Sequence, residues 1–495
     1  MSNYDQTPKI PTAVLVAVKT PGLTDHELQS SLDELERLVT TLGYRVIGRL
    51  WQKRKSTNSA VVLGEGKLRE LAKWTGGPGE VGPYVAKKKH KAALRKEKEN
   101  EEKRLEDAEL AAELDEEFTD HHVHDDDEIE ELGPSHAPQM ELADGAPLEL
   151  AEHVVFDCEL SPSQLRNIEK ATSVKALDRT GVIIEIFSRH AKTRAAKLQV
   201  EIARLTYVAP RLRETSGDDD RGSAGGMGGK GAGESTLELD RRAIRDRIKA
   251  LKDEFSAIDQ EQDTRRSRRS QENTVALVGY TNAGKSSLMR ALTGSDVYIA
   301  DKLFATLDTT VRMLYPETTP RVLVSDTVGF IKKLPHNLVA SFRSTLDEAG
   351  NASLLLFIVD AADPEFRSQL TVTQTVLEEL GVKDVESFLI LNKIDRVPPE
   401  EVIFLKREFP NAILLSALNP DHVADLRGTL IRHFEAKMRD EAVLVPYESQ
   451  GIIGEIREKA KVLNESYDEN GVTLRILAPA EFVDRIKAKI KRDYL

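Results

Sequence analysis

The chain has 495 residues, 40% of them apolar, so several domains with sizeable cores are expected. No apolar run reaches the roughly 18 residues of a spanning helix, which excludes a transmembrane segment of that kind. A single cysteine, Cys158, excludes an intramolecular disulfide and fits a cytoplasmic protein, and the start MSNYDQTPKIPTAV lacks a secretory signal.

Cys158 itself reads as a small buried hydrophobe rather than a reactive thiol. The net charge of −13 argues superficially against nucleic acid, but the charges are segregated. Residues 87–104 are basic, 106–131 acidic, 189–213 basic again, and Arg265, Arg266, Arg268 and Arg269 form a further cluster. Basic faces able to meet phosphate are therefore compatible with the acidic total.

In chain order, residues 11–20 read as a buried strand. A helix follows over 30–43, with Leu32, Leu35, Leu38 and Val39 at helical spacing and Gly43 at its C-terminal cap. YRVIGRLWQ is a second strand, and a helix follows the turn at Gly64. Residues 76–147 lose apolar periodicity and read as a charged, solvated insert, with helix expected only over 92–114. His121, His122, His124 and Asp125 to Asp127 read there as a polar cluster rather than a metal site. Strands are expected again at AEHVVFD (151–157) and VIIEIF (182–187).

Two long helices come next. Ala195, Leu198, Ile202 and Leu205 make one seam; Leu237, Ile244, Ile248, Leu251, Phe255 and Ile258 make the other. Two such stripes predict an antiparallel helical hairpin. Its tip, 217–235, is too rich in glycine for a helix: composition favours a flexible connector, and its length makes a loop that orders on a partner competitive.

The chemistry lies beyond the hairpin. A buried-type strand, 274–278, runs into Gly279-Tyr280-Thr281-Asn282-Ala283-Gly284-Lys285-Ser286-Ser287 and a helix-forming run. This is a phosphate-binding loop in its required strand–loop–helix context. Its backbone N–H groups would curl around the β-phosphate, Lys285 would place charge on the β- and γ-phosphates, and Ser286 would hold Mg²⁺. The strand 321–325 delivers Asp326-Thr327-Val328-Gly329, the Asp toward Mg²⁺ and the Gly329 N–H toward the γ-phosphate. The strand 388–391 ends in Asn392-Lys393-Ile394-Asp395, whose Asp carboxylate can accept two hydrogen bonds from guanine that adenine cannot supply. Strand 413–415 leads to Ser416-Ala417-Leu418, which should support the base. Each alone could be an ordinary strand-to-turn junction; four in this order point to GTP and GDP.

Between these motifs, Thr306 is the favoured threonine to close over Mg²⁺, ahead of Thr309 and Thr310. Phe330 stands where many related GTPases place the glutamine that orients the attacking water, so slow intrinsic turnover is expected, with a partner or a closure completing the site. Lys285, Thr306 and Gly329 are the catalytic candidates. Asn282 has two readings, a ligand for K⁺ beside the phosphates or a loop-stabilising side-chain turn.

These residues resemble the HflX family of ribosome-associated GTPases, over most of the chain outside 76–147. The resemblance rests on GYTNAGKSSLMRALTG, LFATLDTT and DTVGFIKKLPHNLVASFRSTLDEA, and more specifically on ELSPSQLRNIE, DRTGVIIEIFSRHAKTRAAKLQVEIARL and the glycine-rich loop with TLELDRR. It implies a GTPase that binds the large ribosomal subunit and splits stalled or idle ribosomes under stress. The N-terminal region would face ribosomal RNA, with the tip directed toward the peptidyl transferase centre. A role in large-subunit assembly, or as a scaffold with negligible turnover, is the alternative.

The expected architecture is α/β throughout: an N-terminal α/β domain (1–187), a helical hairpin (188–270), a doubly wound P-loop GTPase domain (271–438) and a small α+β C-terminal domain (439–495). In the last, VTLRILAP reads as a strand after a helix carrying Ile456, Ala460 and Leu463. A monomer is expected.

Overall fold

The computed structural model describes residues 10–81, 149–212, 236–269, 272–294, 303–304, 310–333, 348–382 and 385–493. The His121–His124 region, the 217–235 loop, Thr306 and Thr309 lie outside them, as do the side chains of 262–269.

The first sheet is wholly parallel, in the order β2 (Arg45–Lys53), β1 (Thr12–Lys19), β3 (His153–Phe156), β4 (Lys175–Asp178). The central strand β1 is covered on both faces, as its unbroken apolar run requires. Ala13, Leu15 and Ala17 join one core, and Val14 and Val16 the other, because successive side chains alternate across a strand.

Helix α1 (Asp25–Thr41) covers the first face with Leu28, Leu32, Leu35, Leu38 and Val39. It begins earlier than its apolar spacing suggests, because Thr24 and Glu27 satisfy each other's backbone N–H in a capping box. Gly43, at φ +84°, lies one residue past the cap position, Leu42. Helices α2 (Glu65–Thr75) and α3 (Pro162–Thr172) cover the other face.

The expected strand 182–187 is instead the middle of helix α4 (Arg179–His190). Asp178, at the end of β4, caps it by accepting from the Gly181 N–H at 2.7 Å. Val182, Ile183, Ile184, Ile186 and Phe187 are all buried, so the run shows no amphipathic period to read. β-Branched residues disfavour a helix by only about 0.7 kcal/mol each, whereas burying such a side chain contributes about 1.5–3 kcal/mol. Tertiary burial overrides the local preference.

Helices α5 (Arg194–Leu212) and α6 (Thr236–Arg269) run antiparallel, with ion pairs Arg194–Glu254 and Arg247–Glu201 across them. Leu198 and Leu251 are buried in the predicted seams. α5 also has a second buried face, Ala196, Val200 and Ala203, which joins the core under α4.

The second sheet has the order β10 (Ile413–Leu414), β9 (Ser387–Asn392), β8 (Leu354–Asp360), β5 (Asn273–Gly279), β7 (Val322–Asp326), β6 (Thr310–Met313). Only the edge strand β6 is antiparallel to its neighbour. Around it lie α7 (Lys285–Thr293), α8 (Phe366–Glu379), α9 (Pro399–Glu408) and α10 (Pro420–Glu435). The third sheet is antiparallel, β11 (Arg439–Val445), β13 (Gly471–Ala478), β12 (Lys461–Asp468), with α11 (Gln450–Lys459) and α12 (Ala480–Asp493). The helix expected to carry Leu463 is shorter: α11 ends at Lys459, and Leu463 is an exposed residue of β12. Ile456 and Ala460 are buried as expected.

The first two sheets share a core. Leu35, Leu38 and Phe187 belong to one buried cluster with Val278, Phe304, Val328, Phe330 and Ile331. Phe187 meets Phe304 edge-on, ring centroids 4.6 Å apart. Among the described residues no helix is long and apolar enough to cross a membrane.

Candidate nucleotide site

Four strands of the second sheet, β5, β7, β8 and β9, end on one side, and their carboxyl ends bring the motifs together. At the end of β5 the chain turns at Gly279 (φ +153°), where an added Cβ would stand 2.1 Å from the Ile358 carbonyl oxygen of β8. Only glycine allows that approach. At the other end of the loop, a Cβ on Gly284 (φ +93°) would meet Asn392 Nδ2 at 2.2 Å. α7 then starts at Lys285 with no side-chain cap, and the N-terminus of a helix points its first N–H groups at whatever lies beyond it, a ready anion site.

Lys285 is buried and donates from Nζ to the carbonyls of Gly279 (3.0 Å) and Tyr280 (2.8 Å). Burial pushes its ammonium down to about 8, with Asp326 pulling the other way. A bound polyphosphate would oppose that desolvation and favour the charged form. Ser286 Oγ donates to Asp326 Oδ2 at 2.7 Å, and Asp326 is fully buried at the end of β7. A hydroxyl beside a buried carboxylate, next to a phosphate loop, is a hard-oxygen donor set that fits Mg²⁺. Thr327 is held by the Leu277 carbonyl at 2.7 Å, which leaves Val328 and Gly329 to cross in front of the loop. A Cβ on Gly329 would lie 3.0 Å from Lys285 Nζ.

The Asn392–Asp395 segment is tied to the loop between Gly279 and Ser286. Asn392 donates to the Ala283 carbonyl at 2.9 Å and accepts from the Ala417 N–H at 3.0 Å, joining three of the motifs through one buried amide. Lys393 Nζ reaches the Asn282 carbonyl at 2.8 Å and Asp360 Oδ2 at 2.6 Å. Asp395 is exposed on a single turn of 3-10 helix, with its carboxylate available to a base. Ser416 is buried and accepts from the Leu418 N–H at 3.3 Å, while the Leu418 side chain is 78% exposed. Asn282 is exposed at φ +62°.

Asp360, at the end of β8, was not anticipated. No motif marks it, because its partner Lys393 is reached only when β8 and β9 pair in register, Asp360 opposite Asn392. Phe330 is buried within the core shared with the first sheet. Its backbone pairs with the loop in both directions, Phe330 N–H to the Gly279 carbonyl (3.1 Å) and Thr281 N–H to the Phe330 carbonyl (2.9 Å). An apolar residue at this position is thus an anchor for the segment.

Three family models match the chain: GTP-binding GTPase N-terminal over 29–78 and 106–188, GTP-binding GTPase middle region over 190–269, and 50S ribosome-binding GTPase over 274–393. A GTPase HflX of Gluconacetobacter diazotrophicus is 53% identical over 483 residues, 98% of either chain. One of Caldanaerobacter subterraneus is 33% identical over 96% of this chain and 92% of its own. That of Escherichia coli is 36% identical over 69% and 81%. A GTP-binding protein from Sulfolobus solfataricus, solved with GDP, aligns at 21% identity and a TM-score of 0.39 over 85% of this chain and 99% of its own, a likeness too low to add to these matches.

Proposed function

The chain belongs to the HflX family of GTPases and is a GTP-binding, GTP-hydrolysing enzyme, and on that premise we propose that its partner is the large ribosomal subunit and that it splits or rescues stalled and idle ribosomes. The observation that carries this reading is that the matches extend beyond the nucleotide domain, through the N-terminal and middle regions to residue 29. A protein whose function ended at nucleotide turnover would need neither. The basic α5–α6 hairpin supplies phosphate-facing charge, and the 217–235 tip would reach toward the peptidyl transferase centre. Residence in the cytoplasm, as a monomer partly bound to ribosomes, follows from the same reading.

In the proposed mechanism the phosphate-loop N–H groups bind the β-phosphate, and Lys285 places its charge between the β- and γ-phosphates. Ser286 and Asp326 would hold Mg²⁺, with Thr306 completing the set; when bound, that ion neutralises charge on the phosphate oxygens. Gly329 offers its N–H to the γ-phosphate, and a water attacks the γ-phosphorus in line, breaking its bond to the β–γ bridging oxygen and releasing GDP and phosphate. Asp395 accepts hydrogen bonds from guanine N1–H and the exocyclic amino group, and Ser416, Ala417 and Leu418 support the base. Asn282 is the residue through which K⁺ would bind. Because Phe330 is held in the core, no side chain at that position orients the water, so turnover is slow until the ribosome orders the site.

Purified large subunits added in potassium buffer should raise GTP turnover at least tenfold, and Lys285→Ala should abolish the effect. Unchanged turnover with GTP still bound would overturn the ribosome reading and favour the scaffold alternative.

A further inference from the structure

Beyond Phe330 the chain leaves the nucleotide site and enters the first domain. The order of the first sheet reverses between β1 and β3, and the crevice beyond such a reversal is where an open α/β sheet takes a ligand. Asp157, the residue after β3, is buried there with Ser31 of α1. The occupant is Lys333: its Nζ lies 2.7 Å from Asp157 Oδ2 and 3.0 Å from Ser31 Oγ. Lys333 stands at φ +55°, a conformation that a non-glycine residue keeps only where its surroundings hold it.

The preceding residue is held at both peptide groups. Arg179, 2% exposed at the start of α4, donates to Asp157 Oδ1 (2.7 Å), to Glu34 of α1, and to the Lys332 carbonyl (3.0 Å). Glu34 also accepts a hydrogen bond from the hydroxyl of Tyr280, the second residue of the phosphate loop. That hydroxyl in turn accepts from the Lys332 N–H at 2.6 Å. A closed ring therefore runs from Tyr280 through Glu34 and Arg179 to Lys332 and back. Two charged side chains of the first domain, Glu34 and Arg179, thus set with Tyr280 the backbone that follows Gly329.

We propose that Lys333 and Tyr280 are positioning residues for GTP hydrolysis: tethered to Asp157, Ser31 and Glu34, they hold the 326–331 segment in register with the phosphate loop. A preorganised segment spares the γ-phosphate the entropy of ordering it. The tethers act on a segment that GDP has no γ-phosphate to touch, so cutting them separates the two nucleotides. The inference rests on the assignment of Gly329 to the γ-phosphate. Gly329→Ala tests that separately, since its Cβ would collide with Thr281 (2.8 Å) and should weaken GTP-analogue binding far more than GDP binding.

The experiment uses the full chain with Lys333→Met, Tyr280→Phe and the conservative Lys333→Arg, titrated with fluorescent GMPPNP and GDP and assayed for turnover. In Lys333→Met and Tyr280→Phe, GMPPNP affinity and kcat should fall at least fivefold while GDP affinity stays within twofold. Lys333→Arg should recover most of the loss, and Asp157→Asn added to Lys333→Met should cost little more than either alone. Equal loss of both nucleotides would mean general destabilisation and overturn the assignment. So would unchanged GMPPNP affinity and kcat, or tighter GMPPNP binding, which would make the contacts a restraint instead.

Discussion

In the first sheet the strand order reverses between β1 and β3, in the second between β5 and β8, and each reversal opens a crevice beyond the carboxyl ends of the strands. The second crevice is kept clear by backbone: Gly279 and Gly284 stand where any Cβ would collide, and the loop between them presents N–H groups. The first is filled by side chains, with Lys333 of the neighbouring domain seated between Asp157 and Ser31. One architecture thus serves as a receptor in one place and as a socket in the other. Glycine and an open helix N-terminus make the receptor; buried carboxylates facing a neighbour's cation make the socket.

The sharpest way to break this comparison is to strip the socket of its own buried cation, Arg179. Arg179→Met leaves Glu34 and Asp157 buried with their main counter-charge gone, and removing one partner of a buried pair costs about 3–5 kcal/mol. Urea denaturation should show that loss; a change near zero would mean that the network is incidental to the fold.

The receptor should respond differently. Asp395→Asn should leave stability unchanged, because the residue is exposed, yet weaken GTP binding by roughly 10–100-fold, on the order of 1.5–3 kcal/mol per charge-assisted bond. Xanthosine triphosphate, which has a carbonyl in place of the amino group, should gain affinity. Competitive titration of the two triphosphates measures this, and a stability loss as large as that of Arg179→Met would erase the distinction.

The smallest expected effect is on pH. Burial by itself raises the Asp157 carboxyl, but Arg179 and Lys333 beside it prevail and hold it below the ordinary value of 3.8. A carboxylate depressed in the folded state contributes stability that is complete above its unfolded pKa and is lost as pH falls through the folded one. The stability gap between the native chain and Asp157→Asn should therefore be flat from pH 7 to about 4 and shrink only below that. A gap that closes near neutrality would show that the socket carries no such charge. Cys158, next in the chain, has its thiol pushed up to about 12 mainly by burial, so it stays protonated throughout and agrees with its reading as a small hydrophobe.

Much of the second sheet was legible in sequence because each motif is local: a strand, a turn with obligatory residue types, then a helix. Gly279, Gly284, Lys285 and Ser286 sit within one loop, Asp326 and Asn392 each close a strand visible as a short apolar run, and Ser416 follows another two residues on. Helix α4 was misread for the opposite reason. A run buried on nearly every side has no polar face to betray its period, and its cap, Asp178, matters only once β4 ends there. Leu463 was misplaced because the helical spacing continues past Lys459 into β12 by coincidence.

By itself, the sequence determined that the chain is a GTPase with a strand–loop–helix at residues 273–293 and that long seamed helices precede it, since those features are encoded within windows of a few turns. Tertiary structure alone decided how the pieces act on one another. Tyr280 meets Glu34 across 246 residues, and Lys333 meets Asp157 across 176. No local pattern specifies such pairs; they exist because two sheets share one core, which brings their crevices within reach of the same four-residue segment, 330–333. The burial of Phe330, unexplained as a replacement for glutamine, follows from that shared core and from nothing nearer in the chain.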